Sequence, residues 1–405
     1  MTVSTSQLAE CVSAYAARLH AVIGTKHHVA SPLGAWLILA LAAPASTGAD
    51  RDTLTEVLGC DAEDAARAAA DLLTEPHPLV ASAAAVWTSP AVRLPETFQR
   101  WREALPGVVT TGDLPGQAEL DAWAREHTFG LIDRFPISTD KVYLLLATAL
   151  ATKVSWQVPF DLAPVASLGT ASPWANTLGR VLRTPARPGG HVKLVATTPQ
   201  AGDVIVHIAA AEGGLEVVSV AAAPDVPSAR VLAAAYGLGC THAAGGQIEA
   251  RDLASLPLGE HDLWSVREVS AAADSIAAVM PAWSANSDHD LSAPGLGFGA
   301  ASHALVQNDD PWRARQVAMA RYSRIGFEAA AVSALAVTSA MRLPARRREV
   351  VLQFGHPFAV VALATAPRGA SGGGPWQGLP VFSAWVSEPE DATYDSSNGP
   401  AREPR

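Results

Sequence analysis

Residues able to do chemistry are few and scattered in this chain. One serine sits in a Gly-x-Ser-x-Gly frame, Gly369-Ala370-Ser371-Gly372-Gly373. A nucleophile in that frame needs a strand before it, a helix after it, and an acid and then a histidine further on. Here Gly374 and Pro375 follow at once, and the last histidine, His356, lies upstream. Ser371 is therefore rejected as catalytic. Asp288-His289-Asp290 and His27-His28 carry metal-ligand chemistry, but neighbours on a loop do not make a site without a second cluster. They read as polar cover, with no metal. The cysteines Cys11, Cys60 and Cys240 are odd in number, far apart and without a Cys-x-x-Cys pair. That pattern argues against a zinc site or a disulfide framework and favours buried free thiols. Arg346-Arg347-Arg348 could serve as a processing site or a polyanion patch; a solvated loop is the simpler reading.

One stretch does stand out. Gly326-Phe327-Glu328-Ala329-Ala330-Ala331 opens a run that continues to Ala340 and Met341, uncharged, glycine-free and proline-free from Ala329 onward. It breaks into Arg342-Leu343-Pro344-Ala345 and the arginine triplet. By propensity the run could be a helix, since Ala, Leu and Met are good helix formers. By side-chain volume it could equally be a strand that slides into a sheet. The run alone leaves both open.

The frame around it is that of a folded protein. Of 405 residues, 49% are hydrophobic and 17% charged, which excludes a disordered chain. The net charge of −10 and the scarcity of lysine (Lys26, Lys141, Lys153 and Lys193) argue against nucleic acid as a partner. The N-terminus lacks a basic segment and apolar run of the secretory kind, and no stretch approaches the ~20 apolar residues needed to span a membrane. These features predict a soluble chain with no membrane partner, cytoplasmic or exported by an unconventional route.

In chain order, Ser4 and Gln7 suggest a capping box, followed by Leu8, Cys11, Tyr15, Leu19 and Val22 at helical spacing up to Gly24. Ser31 and Pro32 suit the start of a second helix, apolar on every side until Pro44 and so expected inside the core. Thr53 and Glu56 suggest the cap of a short helix ending near Gly59, and helices are expected over 62–73, 95–105 and 119–132. Residues 80–87 and 142–150 read as buried strands, the second a central one. From 179 to about 300 the text is strand-rich, with turns at Pro188-Gly189-Gly190, Gly213-Gly214 and Ala244-Gly245-Gly246. Strands are expected over 350–354, 358–364 and 381–386. This predicts a mixed α and β fold, helices packed around large β-sheets, as one domain over 1–389 with a disordered polar tail over 390–405.

The punctuation resembles the serpin family, in register from the first helix to the last strand. The resemblance rests on His27-His28-Val29-Ala30-Ser31-Pro32-Leu33, on Leu120-Asp121-Ala122-Trp123 through Ile132, and on Thr148 to Trp156 with Pro159-Phe160-Asp161. It continues through Val279-Met280-Pro281-Ala282-Trp283 with Asp290-Leu291, Gly326 to Ala331, Gly355-His356-Pro357-Phe358, and Val381 to Pro389. It implies an exposed reactive loop near the C-terminus and a suicide inhibitor of serine proteases, a monomer with no cofactor. On that reading a protease cuts the loop, residues 326–348, and the cut end inserts into the main sheet as a strand, Gly326 to Ala331 forming the hinge. With Glu328 toward solvent, Phe327, Ala329, Ala331, Ser333, Leu335, Val337 and Ser339 turn inward, an uncharged set suited to a sheet interior. The family's spacing places the scissile bond at Ala340–Met341, which implies an elastase-like or subtilisin-like protease. Cleavage after Met341 or Arg342 is the alternative, the latter for a trypsin-like enzyme. Ser31, Gly34, Thr148 and Gln316 fall in the region that opens the sheet. Here Gly34 stands for a serine, Thr148 for an asparagine and Gln316 for a histidine, and Val154 and Ala384 for glycines. Phe327 stands where the family prefers Thr or Ser, an oversized residue costing ~1–3 kcal/mol in a tight slot. A non-inhibitory binding or structural protein on the same fold is the rival expectation, and the family is commonly extracellular.

Overall fold

The computed structural model describes residues 3–91, 94–137, 142–271, 273–307, 312–327, 345–366 and 374–392. Helix α1 (Thr5–Ile23) begins as its sequence dictates, with Ser4 and Gln7 closing the capping box and Gly24 ending the last turn. Helix α2 (Pro32–Ala42) has Pro32 in its first turn, where a missing N–H costs nothing. Ser31 Oγ accepts the Gly34 N–H at 3.2 Å. All of α2 except Ile38 is buried, so it runs through the interior. Around it pack α1, α3 (Gly48–Leu58), α4 (Ala62–Thr74) and α8 (Phe298–Val306).

With strands numbered in chain order, the first sheet runs β1 (His28–Ala30), β19 (Leu379–Val386), β18 (Phe358–Ala364), β10 (Leu215–Ala222), β9 (Gly202–Ala211) and β8 (His191–Thr198). Helix α7 (Ser228–Ala243) covers one face, and the main core with α1 and α2 covers the other. Both faces being covered, β18 and β19 are buried at every position instead of alternating. The close approach of α7 needs a glycine at 239, where a Cβ would lie 2.9 Å from Leu363.

The second sheet runs β11 (Gly259–Glu260), β12 (Trp264–Ala271), β17 (Ala345–Gln353), β13 (Ser275–Met280), β7 (Arg180–Arg183) and β6 (Asp161–Pro164). A third layer is divided. On one side lie β3 (Thr110–Asp113), β2 (Val80–Thr88) and β4 (Leu144–Thr152); on the other lie β14 (Trp283–Asp290) and β15 (Arg315–Tyr322). Among the described residues no ladder joins β4 to β15. A short antiparallel pair, β5 (Val154–Ser155) with β16 (Gly326–Phe327), sits at one end of the divide. Helix α6 (Gln117–His127) lies over β2 and β4, its Leu120 and Ala124 packed with Trp87, Phe135 and Leu145. Helix α5 (Glu96–Glu103) buries Phe98 and Trp101.

Two histidine pairs, three of the rings buried and His191 half-buried, cross this interior. His28 Nδ1 donates to the Lys26 carbonyl at 2.7 Å, its Nε2 accepts from His20 Nδ1 at 2.8 Å, and Ser383 Oγ donates to His20 Nε2 at 2.7 Å. His191 Nε2 donates to the Val158 carbonyl, and His207 Nε2 donates to His191 Nδ1 at 3.0 Å. Every role suits a neutral ring. Burial pushes His20 down to about 3 and His28 and His191 to about 4, and holds His207 well below its ordinary value. These groups gain protons on unfolding, so their stabilisation is complete above the unfolded pKa near 6.5 and declines as pH falls toward 4. Thermal unfolding followed by circular dichroism is expected to show a level midpoint from pH 7 to 8 and a steady fall below pH 6. Each such group contributes about 1.4 kcal/mol per pH unit in that window. A midpoint unchanged down to pH 4.5 would contradict neutral, buried rings.

Several expectations are corrected. Helix α3 begins at Gly48, after Thr47. Thr53 lies inside it, its hydroxyl donating to Ala49 O, and Glu56 pairs with Arg18 on α1. The helix expected over 119–132 ends at His127, and Phe129 sits exposed at φ 53°. The strand-rich stretch contains the sixteen-residue α7. Strand β4 is not central among the described residues: β2 pairs one edge and the other borders the divide. Arg346, Arg347 and Arg348 are not loop but strand β17, opposite Ser270, Val269 and Glu268 of β12. Asp288-His289-Asp290 likewise lies on strand β14. Residues 390–392, expected in the tail, are fastened to the body: Glu390 N–H bonds Ala282 O, and Asp391 Oδ1 accepts from Gly179 and Arg180. Glu328 to Ala331, the side chain of Phe327, the candidate bonds at Ala340, Met341 and Arg342, and Ser371 lie outside the described residues.

Candidate functional site

The divide between β4 and β15 is a narrow cleft of about 80 Å³. Leu146 to Leu150 form one wall and Arg315 to Val317 the other, with Ser31 and Gly34 of the α2 start beneath and Trp123 of α6 above. Both walls are tied to one turn. From β15, Gln316 Oε1 accepts the Ser31 N–H at 2.9 Å and Nε2 donates to Ser31 O at 2.8 Å. From β4, Thr148 Oγ1 donates to Gly34 O at 2.8 Å. Thr148 and Gln316, from opposite walls, thus each grip the α2 start. Ser31 Oγ completes the turn by donating to Val381 O at 2.9 Å. Prising the walls apart must break one of these grips.

The outer edge of β1 is held the same way. Ser287 Oγ accepts the Val29 N–H at 3.1 Å, and His289 Nε2 donates to Val29 O at 2.7 Å. With the Gln316 amide, side chains of β14 and β15 thus satisfy a strand edge that no strand pairs among the described residues. His289 was read as polar cover, and its role is structural; Asp288 beside it binds Arg315 through two bonds, at 3.0 and 2.7 Å. His27 donates to Ser284 O through Nε2 and accepts Ser387 N–H at Nδ1. Among the described residues no group of three or more His, Cys, Asp or Glu side chains could hold a metal.

Replacing Gln316 by Ala leaves the Ser31 N–H and carbonyl without these partners, a cost of about 1–3 kcal/mol. A midpoint of thermal unfolding a few degrees lower is expected. Gln316→Glu keeps the acceptor but sets a carboxylate oxygen against Ser31 O, and should destabilise at least as much. An unchanged midpoint in both variants would mean the grip carries no weight.

At the end of the cleft the chain turns back on itself. After Tyr322, Ser323 N–H and Oγ both donate to Gly326 O, at 3.0 and 2.9 Å. The turn is fixed from outside by Trp156 Nε1 to Ser323 O at 3.0 Å, Trp156 N to Ile325 O at 3.0 Å and Phe160 N to Arg324 O at 2.9 Å. Trp156 packs on Tyr322, which stacks on Trp283. The reversal sets β16 antiparallel to β5, with Gly326 opposite Ser155 and Phe327 opposite Val154. Gly326 is buried, and a Cβ there would lie 2.2 Å from Val154 O. Only glycine fits.

No family model matches the chain, and no curated protein matches it by sequence. Solved structures match over nearly its whole length. Human thyroxine-binding globulin complexed with thyroxine superposes with a TM-score of 0.64 at 13% identity, over 95% of this chain and 100% of that one. Tengpin, a thermophilic serpin in its native state, gives 0.64 at 12%, over 94% and 93%. Arabidopsis AtSerpin1, in a native stressed conformation, gives 0.61 at 16%, over 96% and 100%. The chain has the serpin fold.

Proposed function

We propose that this chain is a suicide inhibitor of a serine protease, acting by cleavage of the loop 326–348 and its insertion between β4 and β15. The observation that carries the reading is β16, which starts an antiparallel strand against β5 at the mouth of the cleft. Continued in the same register, Ala329 would face Thr152, Ala331 Leu150, Ser333 Thr148, Leu335 Leu146 and Val337 Leu144. Residues directly opposite in such a ladder share a face. On β4, Thr148 and Leu150 turn toward α2 and the main core, while Leu145 and Ala147 turn toward α6. The loop residues that would turn toward the core are therefore those expected from the sequence, small or aliphatic and uncharged.

The protease serine would attack the Ala340 carbonyl, break the bond to Met341 and remain esterified to Ala340 while the freed strand inserts. Ala340 stands three positions past Val337, just beyond the end of β4 in this register, which favours Ala340–Met341 over cleavage at Met341 or Arg342. The small residue suits an elastase-like or subtilisin-like partner. Incubation with elastase, subtilisin and trypsin should give, for at least one of them, a complex that survives a denaturing gel.

A second reading, a non-inhibitory binding protein, is favoured by a cavity of about 350 Å³ between α1 and α7, lined by Ser13, Ala17, His20, Leu232, Tyr236 and Cys240. Thyroxine-binding globulin shows that a protein of this fold can hold a small ligand. Clean cleavage by every protease, with no complex, would select this second reading.

A further inference from the structure

The cysteines are far apart in sequence, yet the fold brings two of them together. Cys11 lies in α1 and is 8% exposed. Cys60 follows Gly59, whose φ of 75° ends α3 and turns the chain toward α4. That turn presses on α1. The Cys11 thiol donates to Gly59 O at 3.4 Å, and a Cβ on Gly59 would sit 3.3 Å from Cys11 Sγ and 3.5 Å from its Cα. The residue before Cys60 therefore touches Cys11, which brings the next Cα within reach of the roughly 4.4–6.8 Å that a disulfide spans. The two thiols interact side chain to side chain, lowering the pKa of Cys11 and raising that of Cys60. Cys60 is half-buried, open to a small reagent. Cys240 belongs elsewhere, on α7, with its Sγ 3.6 Å from Ser13 Oγ.

We propose that Cys11 and Cys60 are a redox-responsive pair that closes to an intramolecular disulfide when the chain meets a small disulfide oxidant. Cys60, the more exposed of the two, loses its thiol proton and attacks one sulfur of the oxidant, forming a mixed disulfide; the small thiolate expelled takes up a proton. Cys11 then gives up its proton and attacks Cys60 Sγ, and the Cys11–Cys60 bond forms as the second small thiolate leaves and is protonated. Two protein thiols lose two electrons, and one small disulfide is reduced to two thiols. The bond would tie α1 to the α3–α4 turn and close a ring that contains α2, the helix whose start anchors both walls of the cleft.

The test exposes the full chain to oxidised glutathione, counts free thiols, and maps disulfides by mass spectrometry. Free thiols should fall from three to one, with the peptides of Cys11 and Cys60 joined. The midpoint of thermal unfolding should rise by about 5 °C, as expected for a loop of this length in a chain of this size. Cys240→Ser should leave the cross-link intact. Cys11→Ser should carry glutathione on Cys60 and show no such rise, and Cys60→Ser should form no cross-link at all. Three thiols persisting in the oxidised sample, a bond to Cys240, or a bond between two chains would each overturn the proposal.

Discussion

Cutting the loop between Ala340 and Arg348 should raise the midpoint of thermal unfolding by about 6 °C or more, the shift expected for a net gain of about 5 kcal/mol in a chain of this size. Before the cut, the two ends of the loop are held in two different sheets. At the near end, the turn at Ser323–Gly326 aims the chain into the cleft through β16. At the far end, β17 is an interior strand, paired over eight residues with β12 and over five with β13. Arg183–Glu349 and Arg346–Glu268 ion pairs and the Arg348 N–H bond to Asp274 Oδ1 reinforce that hold. The far end cannot follow the near end into the cleft unless β17 leaves its sheet. A single cut removes the conflict: the near segment is free to pair along β4 while β17 stays in place. Scanning calorimetry of nicked and intact chains reads the effect directly. An equal or lower midpoint after a complete nick would mean that the cleft does not take the strand, and would remove the energetic basis of the inhibitor reading.

How much of this was legible in the sequence depends on how local the cause is. Helices α1 and α2 could be read because their starts are written in a few residues, Ser4 with Gln7 and Ser31 with Pro32. Strand β17 could not be. An arginine triplet reads as a solvated loop until Glu268 and Asp274, more than seventy positions away, are placed beside it. Helix α7 was hidden by Gly237 and Gly239, which weaken a helical pattern. Yet at 239 the missing side chain is what lets the helix reach Leu363. Gln316 was singled out for the opening region, but its partner was not. A bidentate grip on the Ser31 backbone, 285 positions away, leaves no local signal. Cys11 and Cys60 were dismissed on spacing alone, and a left-handed glycine at the end of α3 is what brings them together.

Gly326→Ala should turn the proposed inhibitor into a plain substrate. At this position a Cβ would stand 2.2 Å from Val154 O and 3.1 Å from Ser155 Cα. Both are backbone atoms of β5, so no side-chain rotation relieves the contact, and the strands must separate. The turn before it should survive, because Trp156 and Phe160 hold Ser323, Arg324 and Ile325 by bonds that do not involve residue 326. The variant is therefore expected to fold, with a midpoint a few degrees lower from the strained β16–β5 contact, and to be cut at the normal rate. What it should lose is the first rung of the inserted ladder. A barrier to insertion higher by about 1.4 kcal/mol slows insertion tenfold, and hydrolysis of the acyl-enzyme then wins. With a protease that the unaltered chain traps, the yield of covalent complex should drop at least tenfold, with cleaved chain accumulating instead. Trimming the neighbour with Val154→Ala should not rescue it, since the obstacle is the carbonyl and not the side chain. A Gly326→Ala chain that still trapped protease in full yield would show that the loop does not enter through the β16–β5 pairing, and the register drawn from it would have to be abandoned.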